Sequence, residues 1–140
     1  MNLKRLVAIC FISICLNLNC QNKPESKLSS NMAESTEEGH IIYNDFCISC
    51  HMANGEGAGK VFPPLANADY LRDNQIESIK AIKFGMSGEI TVNGKIYNSV
   101  MSPLGLSDQE VADVMNYINN SWGNSKDHFY TKAEVSKIKP

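Results

Sequence analysis

What this chain lacks narrows it first. Its one sustained apolar stretch, Leu6 to Leu18, is too short to cross a bilayer as a helix. Basic surplus is missing too: between residues 36 and 125 five basic side chains face eleven acidic ones, a net charge of −6. That balance excludes nucleic acid as a partner. A disulfide framework is also missing, because three of the five cysteines (Cys10, Cys15 and Cys20) fall within the first twenty residues. Cys47 and Cys50 have no second pair of Cys or His ligands at the spacing a zinc site needs, and no βαβ pattern surrounds them as in a thioredoxin-like redox pair. The glycines at 55, 57 and 59 follow no strand, and Lys60 is not followed by Ser or Thr, which excludes a phosphate-binding P-loop.

What is present is Cys47-Ile48-Ser49-Cys50-His51, a Cys-x-x-Cys-His run. Two thiols three positions apart fit one helical turn, and each can add to a vinyl group of one haem. The histidine that follows can turn its imidazole onto the iron. The run reads as a covalent c-type haem attachment site.

The first 19 residues read as a signal peptide, with Lys4 and Arg5 ahead of the apolar core. Export to the periplasm is the expectation. Cys20 closes the apolar run and opens a polar stretch, as the acylated cysteine of a lipoprotein does, although Asn19 stands where a smaller residue is usual. Lipid attachment at Cys20 and membrane anchoring are therefore expected; an ordinary signal peptide cut nearby is the alternative. Residues 20–34, rich in Ser, Asn, Lys and Glu, read as a flexible tether with a reach of ~5–6 Å × √n.

Residues 35–140 have the length of one mainly α domain with a terminal tail helix. Ser35 and Glu38 are spaced as a capping box for a helix running into the haem motif. Gly55, Gly57 and Gly59 then suit a tight loop at a haem edge, and Phe62-Pro63-Pro64-Leu65 forces an extended path. Ile76, Ile79 and Ile82 predict a helix over about 74–84, ended by Gly85. Asn93-Gly94 between two β-prone runs predicts a small hairpin. Ser107 and Glu110 cap a helix through Val111, Val114, Met115, Tyr117 and Ile118, reaching about Gly123; Thr131 and Glu134 cap a short terminal one.

With these residues in view, the chain from Ser35 to Lys139 resembles the class I, monohaem cytochromes c, including small bacterial periplasmic or lipid-anchored members. The resemblance rests on the haem motif, on Gly39 and Tyr43 placed eight and four residues before Cys47, and on Val114 and Tyr117 three apart in the last long helix. It implies N- and C-terminal helices that cross around one covalent haem. It also implies that Pro63 offers its carbonyl to His51, that Leu65 packs on the haem, and that a methionine before the C-terminal helix is the sixth ligand. Met101 occupies that loop, with Ser102 inserted before the proline of the usual Met-Pro; Met86 is the rival, and Met115 reads as core filling.

A haem iron with both axial positions taken leaves no site for substrate, so the expected function is single-electron transport, not catalysis. Redox proteins would be donor and acceptor, and the resemblance extends to subunits that feed terminal oxidases or nitrite reductases. The acidic surplus either steers a basic partner or serves solubility. Two alternatives remain: a peroxidase-type haem enzyme, for which His40 and His128 are the spare histidines, and a fixed electron-transfer subunit of a membrane complex. His40 reads as solvated and His128 as a tail residue with no evident partner. Tyr70, Tyr97 and Trp122 read either as haem contacts or as core aromatics.

Overall fold

The computed structural model describes residues 24–140. The expected signal peptide, the first three cysteines and the lipid-attachment expectation at Cys20 lie outside the described residues. The elements in chain order are α1 (Pro24–Phe46), α2 (Ile48–His51), α3 (Asp69–Asp73), α4 (Gln75–Phe84), β1 (Ile90–Val92), β2 (Lys95–Tyr97), α5 (Asp108–Asn119) and α6 (Lys132–Val135).

The first helix starts earlier than the capping-box spacing suggests. It runs unbroken from Pro24, so residues 24–34 are helical where a flexible tether was expected. No glycine interrupts residues 24–38, and the single proline stands at the first helical position, where its missing N–H costs nothing. Ser35 is consequently not a cap. It is buried inside the helix and its hydroxyl donates to Asp113 Oδ1 (2.5 Å).

α5 is enclosed on most of its circumference. Val111, Ala112, Val114, Met115 and Ile118 are buried, and so are Asp113, Asn116 and Asn119. α1 crosses it at Gly39. A methyl group at that position would lie 2.0 Å from the Asp113 carbonyl oxygen and 2.7 Å from Tyr117 Cβ, so only a bare backbone permits the approach. One turn further on, the buried Tyr43 ring meets Tyr117 (5.5 Å) and Trp122 (4.9 Å), and Tyr117 meets Trp122 edge-on (5.4 Å).

The buried polar groups tie three parts of the chain together. Asn116 Nδ2 donates to Ser35 Oγ (2.9 Å) and to the Tyr130 carbonyl (2.9 Å), while its Oδ1 accepts from the Tyr130 N–H (2.9 Å). α1, α5 and the tail are thus joined through one side chain, and no buried side-chain polar atom among the described residues lacks a partner. Lys83, at the end of α4, pairs with Asp108 (2.7 Å) and donates to the Val135 carbonyl (2.8 Å), anchoring α6.

The hairpin forms as expected, with Ile90 opposite Tyr97 and Val92 opposite Lys95. Asn93 and Gly94 both have positive φ (50° and 71°), which a two-residue turn of this hand requires. Asp69 and Asn93 exchange backbone-to-side-chain bonds (3.0 and 2.7 Å) and fix the hairpin to α3. α4 ends at Gly85 as predicted, whereas α5 stops at Asn119, four residues short of Gly123.

Ser107–Glu110 and Thr131–Glu134 form two of the three expected capping boxes. Side-chain and then backbone hydrogen bonds from Ser107 hold the Glu110 carboxyl below its ordinary 4.5. A depressed carboxyl contributes stability that is complete above the ordinary value and is lost as pH falls through the folded one. Ser107→Ala is therefore expected to cost about 1 kcal/mol near neutral pH and less in acid, measured as denaturant midpoints in the two buffers. Gly39→Ala should be far costlier. It overpacks backbone against backbone and should lower the unfolding free energy by about 3 kcal/mol, read from the same titrations.

Candidate functional site

The haem motif sits where α1 gives way to α2. Cys47 joins them with near-helical dihedrals (φ −111°, ψ −32°), and its carbonyl accepts the N–H groups of Cys50 (3.1 Å) and His51 (2.9 Å). One turn of helix thereby sets both sulfurs and the imidazole on the wall of a single cavity of about 350 Å³. Both cysteines are free thiols. Burial, followed by the neighbouring Cys50, pushes the Cys47 thiol up to about 11, which keeps it protonated at neutral pH and slows its oxidation to a disulfide.

His51 is oriented from behind. Its Nδ1 lies 3.0 Å from the Pro63 carbonyl, an acceptor only, so Nδ1 carries the proton and donates. Nε2 is left unprotonated and available to a metal. Burial lowers the pKa of His51, and the Pro63 bond offsets this in part, so the ring is the neutral imidazole a metal ligand must be.

The loop that delivers Pro63 depends on two glycines. Gly55 has φ +65°, and a methyl on it would lie 2.5 Å from the Trp122 ring; its carbonyl accepts the N–H groups of Leu65 (2.7 Å) and Ala66 (2.8 Å). Gly57 has φ +70°, with the Phe62 carbonyl oxygen 2.4 Å from where its Cβ would stand, and its N–H donates to the His51 carbonyl (3.0 Å). Tyr43 closes the same region by donating to the Met52 carbonyl (2.7 Å).

Met101 and Met86 exchange two backbone hydrogen bonds (2.8 and 2.9 Å), an isolated antiparallel bridge. Both methionines line the cavity, as do Pro63 and Leu65. All six expected haem contacts, Cys47, Cys50, His51, Pro63, Leu65 and Met101, are therefore brought together, and Met86 stands beside Met101. Tyr70 and Tyr97 also line the cavity, whereas Trp122 lies over Gly55.

Other expectations shift. Met115 is fully buried, as core filling would be, but it also lines the cavity with Ile118 three residues on, because α5 turns one apolar stripe to α1 and another to the cavity. His40 is exposed, with its ring 5.0 Å from that of Tyr117. His128 does have a partner: its Nε2 is 3.1 Å from Glu134 Oε1, and its ring meets Tyr130 at 4.5 Å, because α6 folds the tail back. Sequence reasoning missed the lock formed by Asn67 and Asn124. Asn124 Nδ2 donates to the Leu65 carbonyl (3.0 Å), and its Oδ1 accepts from the Asn67 N–H (2.9 Å). Nothing in spacing marks such side-chain-to-backbone bonds across 59 residues.

A slot walled by two free thiols, a back-bonded neutral imidazole and otherwise largely apolar side chains fits a covalently held haem; no group of three or more His, Cys, Asp or Glu suited to a metal ion occurs among the described residues. The family comparison agrees. The cytochrome c family model matches residues 36–122, and the chain belongs to that family. It is a monohaem class I cytochrome c, an electron carrier with one covalent c-type haem. It is 36% identical over 121 residues to cytochrome c-552 of Thermus thermophilus, covering 80% of this chain and 81% of the relative. It is also 31% identical over 105 residues to the cytochrome c subunit of the quinone alcohol dehydrogenase of Gluconobacter oxydans, but that match spans only 22% of the relative. The FixP subunit of the cbb3-type cytochrome c oxidase of Bradyrhizobium diazoefficiens matches at 29% over 112 residues, 37% of its length.

Gly57→Ala is expected to displace the Pro63 segment and with it the His51 bond. The result should be a lower denaturant midpoint together with a shifted reduction potential in the haem-loaded protein. A potential equal to the parent's would show that the loop yields without moving Pro63.

Proposed function

We propose that the protein carries single electrons between redox proteins, with haem thioether-linked to Cys47 and Cys50 and held axially by His51 and Met101. The observation that carries this reading is the placement of the two axial candidates. His51 keeps Nε2 free because Pro63 engages Nδ1, and Met101 lines the same cavity, its backbone held by the bridge to Met86. When bound, the haem supplies the one-electron iron couple, at the raised potential that His/Met ligation gives.

With both axial positions filled by this chain's own side chains, no position is left for a substrate. The peroxidase reading is disfavoured further because neither His40 nor His128 lines the cavity, so neither can act as a distal acid or base. The relatives named as dehydrogenase and oxidase subunits support redox enzymes as the class of donor and acceptor, and a fixed place in such a complex is compatible with the same electron path.

For location, we infer export through the signal peptide of residues 1–19 and attachment to a periplasmic membrane face by lipid on Cys20. Among the described residues no helix is long and apolar enough to cross a membrane, so lipid would be the means of anchoring for this part of the chain.

Oxidised protein should show a weak absorption band at the red end of the visible spectrum, from sulfur-to-iron charge transfer. Met101→Ala is expected to abolish it and Met86→Ala to retain it; the reverse pattern would transfer the ligand role to Met86. Cys20→Ser is expected to move the mature protein from the membrane to the soluble fraction, whereas unchanged fractionation would remove the lipid from this account.

A further inference from the structure

A second, smaller cavity of about 230 Å³ adjoins the haem cavity. Ala68 and Leu71 line both, so the two share an apolar wall. Their linings differ in kind. No Asp, Glu, Lys or Arg lines the larger cavity, whereas the smaller carries Arg72 and Lys126 and, among the described residues, no carboxylate. This runs against the sign of the domain, where eleven acidic side chains outnumber five basic ones between residues 36 and 125. Arg72 is also the one arginine among the described residues.

The ends of α3 and α5 border the smaller cavity, and bare C-terminal carbonyls there would repel an anion. Both ends are covered by donors. At the end of α5 the Ile118 carbonyl accepts from Asn124 Nδ2 (2.9 Å), and the Tyr117 carbonyl accepts from the Ser121 hydroxyl (2.7 Å). At the end of α3, Asn74 Nδ2 (3.2 Å) and Gln75 Nε2 (2.5 Å) donate to the carbonyls of Tyr70 and Leu71. The buried Asn119 and Gln75 satisfy each other (3.0 and 2.8 Å), and Asn67 Nδ2 donates to the Trp122 carbonyl (3.1 Å). The neutral amides are thus engaged within the fold, and the groups left for a ligand are the two cations. Lys126 forms no ion pair among the described residues. Arg72 is forked on Asp73 through Nε and Nη2 (both 3.0 Å), but these side chains are 62% and 60% exposed, so the pair holds weakly and can exchange.

We infer that the second cavity binds a small tetrahedral oxyanion, of which inorganic phosphate is the simplest, between the Arg72 guanidinium and the Lys126 ammonium. The guanidinium fork matches two phosphate oxygens, and the lysine adds a point charge. A water takes about 30 Å³ of liquid, so the cavity has room for the ion and part of its hydration shell. The inference goes beyond electron transport, because the site is coupled to the haem. Haem iron gains one positive charge on oxidation, and the buried Ala68 and Leu71 keep screening water out of the shared wall. The oxidised protein therefore holds the anion more tightly than the reduced one, and by linkage the anion lowers the reduction potential.

The test is calorimetric titration of the haem-loaded protein with sodium phosphate, in each oxidation state, with chloride holding the ionic strength constant. One site is expected, about fivefold tighter in the oxidised state. Spectroelectrochemistry should then show saturating phosphate lowering the potential by about 40 mV, which is that fivefold ratio at 59 mV per tenfold. Arg72→Gln and, independently, Lys126→Gln should each weaken binding about tenfold or more with an unchanged visible spectrum. Asp73→Asn, which releases the guanidinium fork, should tighten it about threefold. Lys60→Gln removes a cation that lines neither cavity and should leave the affinity within about twofold. An equal loss in Lys60→Gln would overturn the inference in favour of general charge attraction, and absence of binding in both oxidation states would sink it outright. Equal affinity in the two states would overturn the coupling to the haem. Binding to phosphatidylglycerol vesicles, with dissolved phosphate ignored, would overturn the free oxyanion in favour of a lipid headgroup.

Discussion

The backbone contact between Gly39 and the Asp113 carbonyl is the constraint on which the rest depends. It fixes the crossing of α1 and α5 at a separation no side chain allows. Everything the site needs is measured from that crossing. Eight residues later α1 delivers Cys47, and along α5 the residues Met115 and Ile118 form the cavity's inner wall. The aromatic triad of Tyr43, Tyr117 and Trp122 fills the wedge the crossing leaves. Trp122 in turn presses on Gly55, so the contact is transmitted to the loop that holds His51 from behind.

Much of this was legible in the sequence because it depends on residue types that do one thing. A Cys-x-x-Cys-His run, an Asn-Gly turn, a glycine after an apolar helix and two Ser/Thr-to-Glu spacings each have a local physical meaning, and each appears where expected. Placing Pro63, Leu65 and Met101 needed the family resemblance, since nothing local joins residues so far apart in the chain. The structure then gathers them on one cavity.

The misreadings share one cause, which is that a local motif competes with tertiary partners. Ser35 and Glu38 have capping-box spacing, but the Ser35 hydroxyl is taken by Asp113, and the preceding residues have no breaker to stop the helix. His128 seemed partnerless because its partner, Glu134, is brought close by the turn into α6. The buried Asn116 was invisible for a related reason. A polar residue on a helix reads as surface until the tail that satisfies it, at Tyr130, is known to fold back.

The bridge between Met86 and Met101 is made of peptide groups, and peptide groups are common to nearly every residue. Position 86 can therefore change its side chain without loosening the segment that carries Met101, provided the replacement keeps its N–H. The burden falls one residue earlier. A Cβ at Gly85 would stand 2.7 Å from the Met101 carbonyl and 2.8 Å from Pro103, in a backbone conformation with φ +79°. Tolerance at one site and intolerance at its neighbour thus come from a single pairing, and the grip on the sixth-ligand candidate is set by a residue with no side chain at all.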